Sequence, residues 1–363
     1  MEKKIRLITF HTPRNYGAVL QAYSLSKYLE KYSDDVQVID YDTEHLRAIY
    51  PIIPRASNWK GILKNILFAY RFPYVKKKQV KFHKFVVDNF SLTEKFTNTV
   101  ELYAQDWKGC SFVTGSDQVF NPNRIADERK AFYLDFAPTD EKRIAYAASF
   151  GVKEIQDDKK SEISEYLQRF TDIAVREESG RAIVEKLVCR TPTVVLDPVF
   201  LHEKEFWKKI GKPYRKQFDK YLFYYNLMES QKSDLIARKI ADEKGLRLVA
   251  ITEGTLHIHA DDVLRDVGPE EFLYLMSNAA FIVTDSFHGV AFSIIFEKQF
   301  VFSDEKEMIN SRGLELLDRL ELRTSAYSKT YAEGNEIDYK NVKLKLQKYL
   351  DDARCYLDNA FMF

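Results

Sequence analysis

AAFIVTDSFHGVAFSIIFEKQF, residues 279–300, carries the strand, polar turn and helix pattern on which the fold is built. Phe281 to Thr284 is an apolar run of branched and aromatic residues that reads as a buried strand, and Val290 to Phe296 reads as the helix leaving it. TDSFHG lies between them. A strand that ends where a helix begins turns backbone amides toward the space beyond it, and an anion is the natural tenant there. The alternative is that Asp285 and Ser286 cap the helix while His288 packs on the turn.

The same strand, polar turn and helix order recurs outward from this segment. Ile5 to Phe10 is predicted as the first strand, HTPRNYGA as its turn, and AVLQAYSLSKYLEKY as a helix with Val19, Leu20, Tyr23, Leu25 and Leu29 on one face. Val36 to Asp40 then completes a βαβ unit with a parallel sheet. Cys110 to Thr114, Ile144 to Ser149, Asp172 to Val175 and Thr193 to Leu196 are further strands, each handing over to polar residues. Tyr221 to Asn226 and Leu246 to Thr252 flank a helix at Asp234 to Lys244. Gly268 and Pro269 start the helix before the opening stretch, with proline suited to the first helical position.

The fold class expected is therefore α/β, with two doubly wound Rossmann-like domains facing a cleft and ligands at the carboxyl ends of strands. The expected boundaries are 1–205 for the first domain and 206–330 for the second, with a hinge near Leu201 to Gly211. A last amphipathic helix, within 331–363, carries Val342, Leu346, Leu350, Ala353 and Leu357 on one face and is expected to pack back across the domains.

One segment departs from this pattern. From Leu46 to Val87 there is no acidic residue, while lysines and arginines interleave with Trp59, Phe68, Tyr70, Phe72, Tyr74, Phe82 and Phe85. It reads as an insertion at about 46–90 in the first domain, suited to an anionic membrane surface or a nucleic acid, or else as a solvated basic face.

The chain is 363 residues long, 45% hydrophobic and 30% charged, with a formal net charge of +1. That length fits two cores, and the charge balance gives no global attraction to nucleic acid. Cys110, Cys189 and Cys355 are far apart and lack C-x-x-C spacing, which fits reduced thiols and no zinc site. No apolar run approaches spanning length. His257, His259 and Asp261 alternate as metal ligands might on a strand, but no fourth partner is in view, and no metal is expected. One glycine after the first strand falls short of a dinucleotide fingerprint, and no nucleophile elbow is present.

NYGAVLQAYSL from Asn15, GSDQVFN at Gly115 to Asn121, REES at Arg176 to Ser179, LDPVF at Leu196 to Phe200 and the late TDSFHG together resemble the polysaccharide pyruvyl transferase family. The resemblance spans most of the chain, in order. It implies a fold similar to two-domain GT-B glycosyltransferases. It also implies transfer of the pyruvyl group of phosphoenolpyruvate onto two hydroxyls of a sugar in a cell-surface polysaccharide precursor, giving a ketal and phosphate. Phosphoenolpyruvate is then the donor substrate, with no cofactor, and the acceptor is a saccharide, in one version lipid-linked. Arg176 matches the arginine that the family places in its turn, where it looks like a donor-binding residue. His288 matches the family's late histidine followed by glycine. The family commonly carries an arginine two residues before that histidine, where this chain has Ser286.

The chemistry supports the same roles. A donor with a carboxylate and a phosphate needs fixed cations or amide dipoles, with arginine favoured. Arg176 at a strand end is the first candidate, its alternative being a salt bridge to a nearby acid; Arg312, beside a cap at Asn310 or Ser311, is the second. Asn15, Gly17 and Ser286 bring backbone or hydroxyl donors to the same task. Ketal formation requires a proton donor and a proton acceptor, and histidine serves either near neutrality. His288 is the expected acid or base. Asp117 is a second base or, with Gln118, an acceptor contact, unless the two only form a local turn. His11, at the end of the first strand, is a further acceptor-side group.

The expectation is thus a cytoplasmic pyruvyl transferase, peripheral at the inner face of the plasma membrane. The competing readings are a GT-B glycosyltransferase using a nucleotide sugar and a catalytically silent scaffold of polysaccharide assembly.

Overall fold

A computed structural model describes residues 4–49, 59–123, 128–227, 230–252, 256–303, 311–322 and 336–362, with the backbone alone at 48–49, 59–70 and 311. The chain divides into two compact units. The first contains Met1–Tyr50, Val86–His202 and Lys348–Phe363; the second contains Pro51–Phe85 and Glu203–Gln347. The stretch expected as an insertion in the first domain is therefore divided, because the helix Trp59–Asn89 joins the second unit as far as Phe85.

The first unit is built on seven parallel strands: β1 (Lys4–Ile8), β2 (Asp35–Tyr41), β3 (Leu92–Phe96), β4 (Cys110–Thr114), β5 (Arg143–Ala148), β6 (Asp172–Val175) and β7 (Thr193–Val194). Their order is β3-β2-β1-β4-β5-β6-β7, all pairings parallel. The second unit has β8 (Tyr221–Tyr225), β9 (Arg247–Ile251), β10 (Asp262–Leu264), β11 (Phe281–Thr284) and β12 (Phe300–Phe302) in the order β10-β9-β8-β11-β12. Both sheets run outward in one direction and then restart on the other side of their first strand. The resulting switch points lie at β1/β4 and β8/β11, where open α/β sheets leave a crevice beyond the strand ends.

The strand sequences explain their burial. All five residues of YLFYY in β8 are buried, as expected of a parallel strand covered on both faces. Phe223 and Tyr225 pack edge-on against Phe272, with ring centroids 6.0 and 5.1 Å apart. Leu222 and Tyr224 join the opposite cluster with Ile236, Ala237 and Ile240. Fully burying one such side chain contributes roughly 1.5–3 kcal/mol.

Of the two longest helices, Tyr339–Met362 was expected and Trp59–Asn89 lies in the stretch read as a basic insertion. In Trp59–Asn89 the buried positions Val75, Lys78, Phe82 and Phe85 recur at helical spacing. Lys81 donates to both carboxylate oxygens of Glu271 at 2.8 and 2.7 Å, so part of the basic run is paired inside the second unit. Lys76, Lys77 and Val80 are exposed. The helix Tyr339–Met362 contributes to each unit. In the second, Lys343 pairs with Glu297 at 2.8 Å. In the first, Tyr356 donates to the Ala145 carbonyl at 2.9 Å and Phe361 stacks on Tyr32. Among the described residues no helix is long and apolar enough to cross a membrane.

Candidate functional site

In the first unit the polar residues converge at the carboxyl ends of β1, β4, β5, β6 and β7. The turn after β4 is forced by Gly115, whose φ is +120° and where a Cβ would collide with the Tyr146 carbonyl. Asp117 follows at φ +65°, a left-handed conformation that aspartate tolerates better than most side chains. Its carbonyl accepts from Ser149 N at 2.9 Å and Val119 N at 2.8 Å, which pins the turn to the end of β5.

Arg176 leaves the end of β6 and is 4% exposed. Its Nη1 donates to Asp197 Oδ2 at 2.8 Å, its Nη2 reaches Asp117 Oδ1 at 3.5 Å, and its Nε lies 3.7 Å from Glu177 Oε2. One guanidinium thus faces three carboxylates. Burial works against its charge, yet Asp197, Asp117 and Glu177 outweigh burial and raise its pKa further. Asp197, fully buried, also accepts from Ser116 Oγ at 2.9 Å and caps the turn Pro198–Leu201 through Val199 N. Gln21 completes the array. Its side chain accepts from Ser116 N at 2.9 Å and donates to Thr9 Oγ1 at 2.8 Å. Ser149 donates to Glu177 at 2.7 Å.

The other expected residues of this unit are Asn15, Gly17, Gln118 and His11. Asn15 caps the helix Tyr16–Leu29 by accepting from Ala18 N at 3.2 Å, and Gly17 is buried in its first turn. Gln118 is 8% exposed, and its amide oxygen accepts from Asn121 at 2.7 Å. His11 is 1% exposed, with its ring nitrogens 3.2 Å from the Thr9 carbonyl and 3.2 Å from Asp40.

In the second unit the helix after β11 begins earlier than expected, spanning Phe287–Ile295. Ser286 is its N-cap and accepts from Gly289 N at 3.4 Å, so His288 sits in the first helical turn rather than on a loop. It is 8% exposed. Phe287 lies edge-on to its ring at 5.1 Å. Gly289 is required by close approach, because a Cβ there would meet Thr284 Cβ and Cγ2 at 2.8 Å. Asp285 does not cap this helix; its carboxylate accepts from Leu227 N at 2.8 Å and ties the end of β11 to the end of β8. Arg312 lies on the helix Ser311–Arg319; of the two expected caps, Ser311 is the first helical residue and Asn310 lies outside the described residues.

Asp234, 0% exposed, is a second organising carboxylate. It accepts from Tyr224 Oη at 2.8 Å and from His257 N at 2.8 Å, with His257 Nδ1 at 3.0 Å. Burial and then the Asp234 carboxylate hold the Tyr224 hydroxyl proton well above its usual range. Asn226 donates to Tyr224 Oη at 2.5 Å. His257 and Asp261 thus have separate partners: Asp261 pairs with Arg238 at 3.1 Å and accepts from Leu248 N. Among the described residues no three His, Cys, Asp or Glu side chains are grouped to hold a metal ion.

A profile of the polysaccharide pyruvyl transferase family matches residues 15–306. The chain belongs to that family. The match takes in Asp117, Arg176, Ser286 and His288. No curated protein sequence matches the chain. Among solved structures it is similar to a UDP-N-acetylglucosamine 2-epimerase, with TM-score 0.51 and 12% identity over 99% of this chain and 95% of that one. It is also similar to the Neisseria meningitidis UDP-GlcNAc 2-epimerase bound to UDP-GlcNAc, with TM-score 0.46 and 10% identity, over 99% of this chain and 94% of that one. The E. coli ADP-heptose LPS heptosyltransferase II gives TM-score 0.36 and 12% identity, covering 98% of each chain. The first likeness agrees with the strand orders in a GT-B-like pair of Rossmann-like units.

Within this member of the family, Gln21, Ser116, Ser149, Glu177, Asp197, Tyr224 and Asp234 were not singled out as site residues from the sequence. A signal existed for some: Asp197 directly follows the expected strand Thr193 to Leu196, and Glu177 stands two residues past the strand ending at Val175.

Proposed function

We propose that the protein transfers the pyruvyl group of phosphoenolpyruvate onto two hydroxyls of a saccharide, forming a ketal and releasing phosphate. The observation that carries this reading is the family match over residues 15–306, which includes the residues with the required chemistry. The methylene carbon of the donor gains a proton, one hydroxyl oxygen bonds to the neighbouring carbon, the bond to phosphate breaks, and the second hydroxyl closes the ring. Of the two hydroxyl protons, one balances the new methyl group and the other leaves with phosphate.

His288 is the proposed acid that protonates the methylene carbon. Its place in the first turn of a helix supports this, because the amides there favour an anionic substrate close by. Ser286 and Arg312, both in the second unit, are the proposed donor contacts. Arg176 takes a different part from the one expected. A guanidinium enclosed by three carboxylates offers no net positive charge to an incoming anion, so its proposed role is to hold Asp117, the acid–base or hydroxyl-orienting carboxylate, with Gln118 and His11 behind the acceptor. The exposed Lys76, Lys77 and Val80 are the proposed contact with an anionic membrane carrying a lipid-linked acceptor.

Phosphate release that requires both phosphoenolpyruvate and a saccharide diol tests the reading. Phosphate release without an acceptor, or turnover of a nucleotide sugar in place of phosphoenolpyruvate, would overturn it.

A further inference from the structure

The proposed reaction asks for more than one proton-transfer group, and the second unit holds a further histidine beside His288. His257 follows β9, the neighbour of β8, at the same carboxyl edge as the turn after β11. Adjacent strands are about 4.7–4.9 Å apart, so chain segments leaving β9 and β11 start roughly 10 Å from one another. A hydrogen-bond path runs along that edge: Leu227 N to Asp285 after β8 and β11, and Asn226 to Tyr224 to Asp234 to His257.

The geometry at His257 is that of an oriented imidazole. Asp234 has no exposed side-chain surface, whereas the His257 side chain is 43% exposed, so the carboxylate grips the ring from beneath. The carboxylate accepts from both the backbone N and the Nδ1 side of the same residue, at 2.8 and 3.0 Å, which fixes the position of the residue and of its ring together. Tyr224 Oη occupies the other oxygen at 2.8 Å. A carboxylate only accepts, so Nδ1 is the donor and the neutral ring carries its lone pair on Nε2. A buried carboxylate behind an outward-facing histidine is the arrangement by which acid–base histidines are held in one tautomer.

We infer that His257 is a second acid–base residue of the enzyme, oriented by Asp234. Nε2 accepts the proton of one attacking saccharide hydroxyl as its oxygen bonds to the donor carbon. The same proton is then delivered to the phosphate oxygen as the carbon–oxygen bond to phosphate breaks, so the ring ends neutral. Asp234 is a positioning residue and stays a carboxylate throughout. This inference rests on the pyruvyl transfer reading.

The test uses the full chain with phosphoenolpyruvate and an acceptor that the wild type turns over, comparing wild type with His257→Ala and His257→Gln. The expected loss in kcat is about 10²–10⁴-fold for both variants, with KM for phosphoenolpyruvate little changed. Because the ring is half exposed, added imidazole is expected to restore a measurable part of the His257→Ala rate, while sodium chloride at equal ionic strength does not. A merely structural histidine would give no such rescue. Active wild type with either variant within threefold of it overturns this inference alone, as does a slow His257→Ala that imidazole leaves unchanged. Wild type that releases no phosphate from phosphoenolpyruvate with any acceptor overturns the functional reading and this inference together.

Discussion

Replacing Arg176 by methionine separates a guanidinium that holds the first unit together from one that waits for substrate. The substitution keeps much of the side-chain volume and removes a buried cation that faces Asp197, Asp117 and Glu177. Asp197 is fully buried and Glu177 nearly so, which leaves little water to screen the charges that remain. Breaking a buried pair by deleting one partner costs about 3–5 kcal/mol. With a urea slope of roughly 2–3 kcal/mol per molar, the denaturation midpoint falls by about 1–2 M. Adding Asp117→Asn to Arg176→Met removes one of the mutually repelling carboxylates, and the double variant is expected to recover about 1–2 kcal/mol, a coupling of opposite sign to the single losses. The assay is urea denaturation followed by far-ultraviolet circular dichroism. An Arg176→Met midpoint equal to that of wild type, joined to a loss of phosphoenolpyruvate binding, would refute the argument and return Arg176 to the role of an open donor contact.

Gly289→Ala tests the close approach of helix and strand in the second unit: the new methyl meets a buried, β-branched Thr284, and the overpacking is expected to cost about 1–3 kcal/mol, more than the helix propensity gained. Thr284→Ala in the same chain is expected to return part of that loss in a denaturation series, and strictly additive losses would contradict the geometry. For the exposed basic helix, co-sedimentation with anionic vesicles is expected to weaken when Lys76 and Lys77 become glutamate and when salt is raised. Binding unaffected by either change would remove the membrane from the account.

What could be read from the sequence follows burial. Central strands such as Cys110–Thr114, Asp172–Val175 and Phe281–Thr284 are short apolar runs because both sheet faces are covered, and their bounds were read as they stand. Of the four edge strands only β7 is expected from the sequence, as Thr193 to Leu196. LTEKF of β3 has only Phe96 buried, and β10 and β12 are three residues each, too short for any period to declare itself. The division of the chain was harder still. Val75, Phe82 and Phe85 show that the helix Trp59–Asn89 has a buried face, but periodicity does not name the surface that face meets.

The candidate site shows the same limit. The positions of Asp117, Arg176 and His288 at strand-to-helix turns were legible because polar residues directly follow apolar runs. The partners of Arg176 were not, since Asp117, Glu177 and Asp197 come from three different strand ends and meet only through the sheet order. The pairing of His257 with Asp234 was equally hidden, because it joins the start of one helix to the segment after the next strand. Alternation in H-I-H-A-D suggested metal ligands, whereas tertiary structure gives His257 and Asp261 different partners.

In the proposed reaction phosphoenolpyruvate supplies a pyruvyl group that ends as a ketal on a saccharide. Its most direct measurement is the mass of the saccharide product formed by purified protein from phosphoenolpyruvate across a panel of sugar diols. A product heavier by one pyruvate less one water is expected, formed in step with one phosphate and greatly diminished in His288→Ala. Phosphate formed with no change in the mass of any saccharide, or a product heavier by a sugar unit, would contradict it.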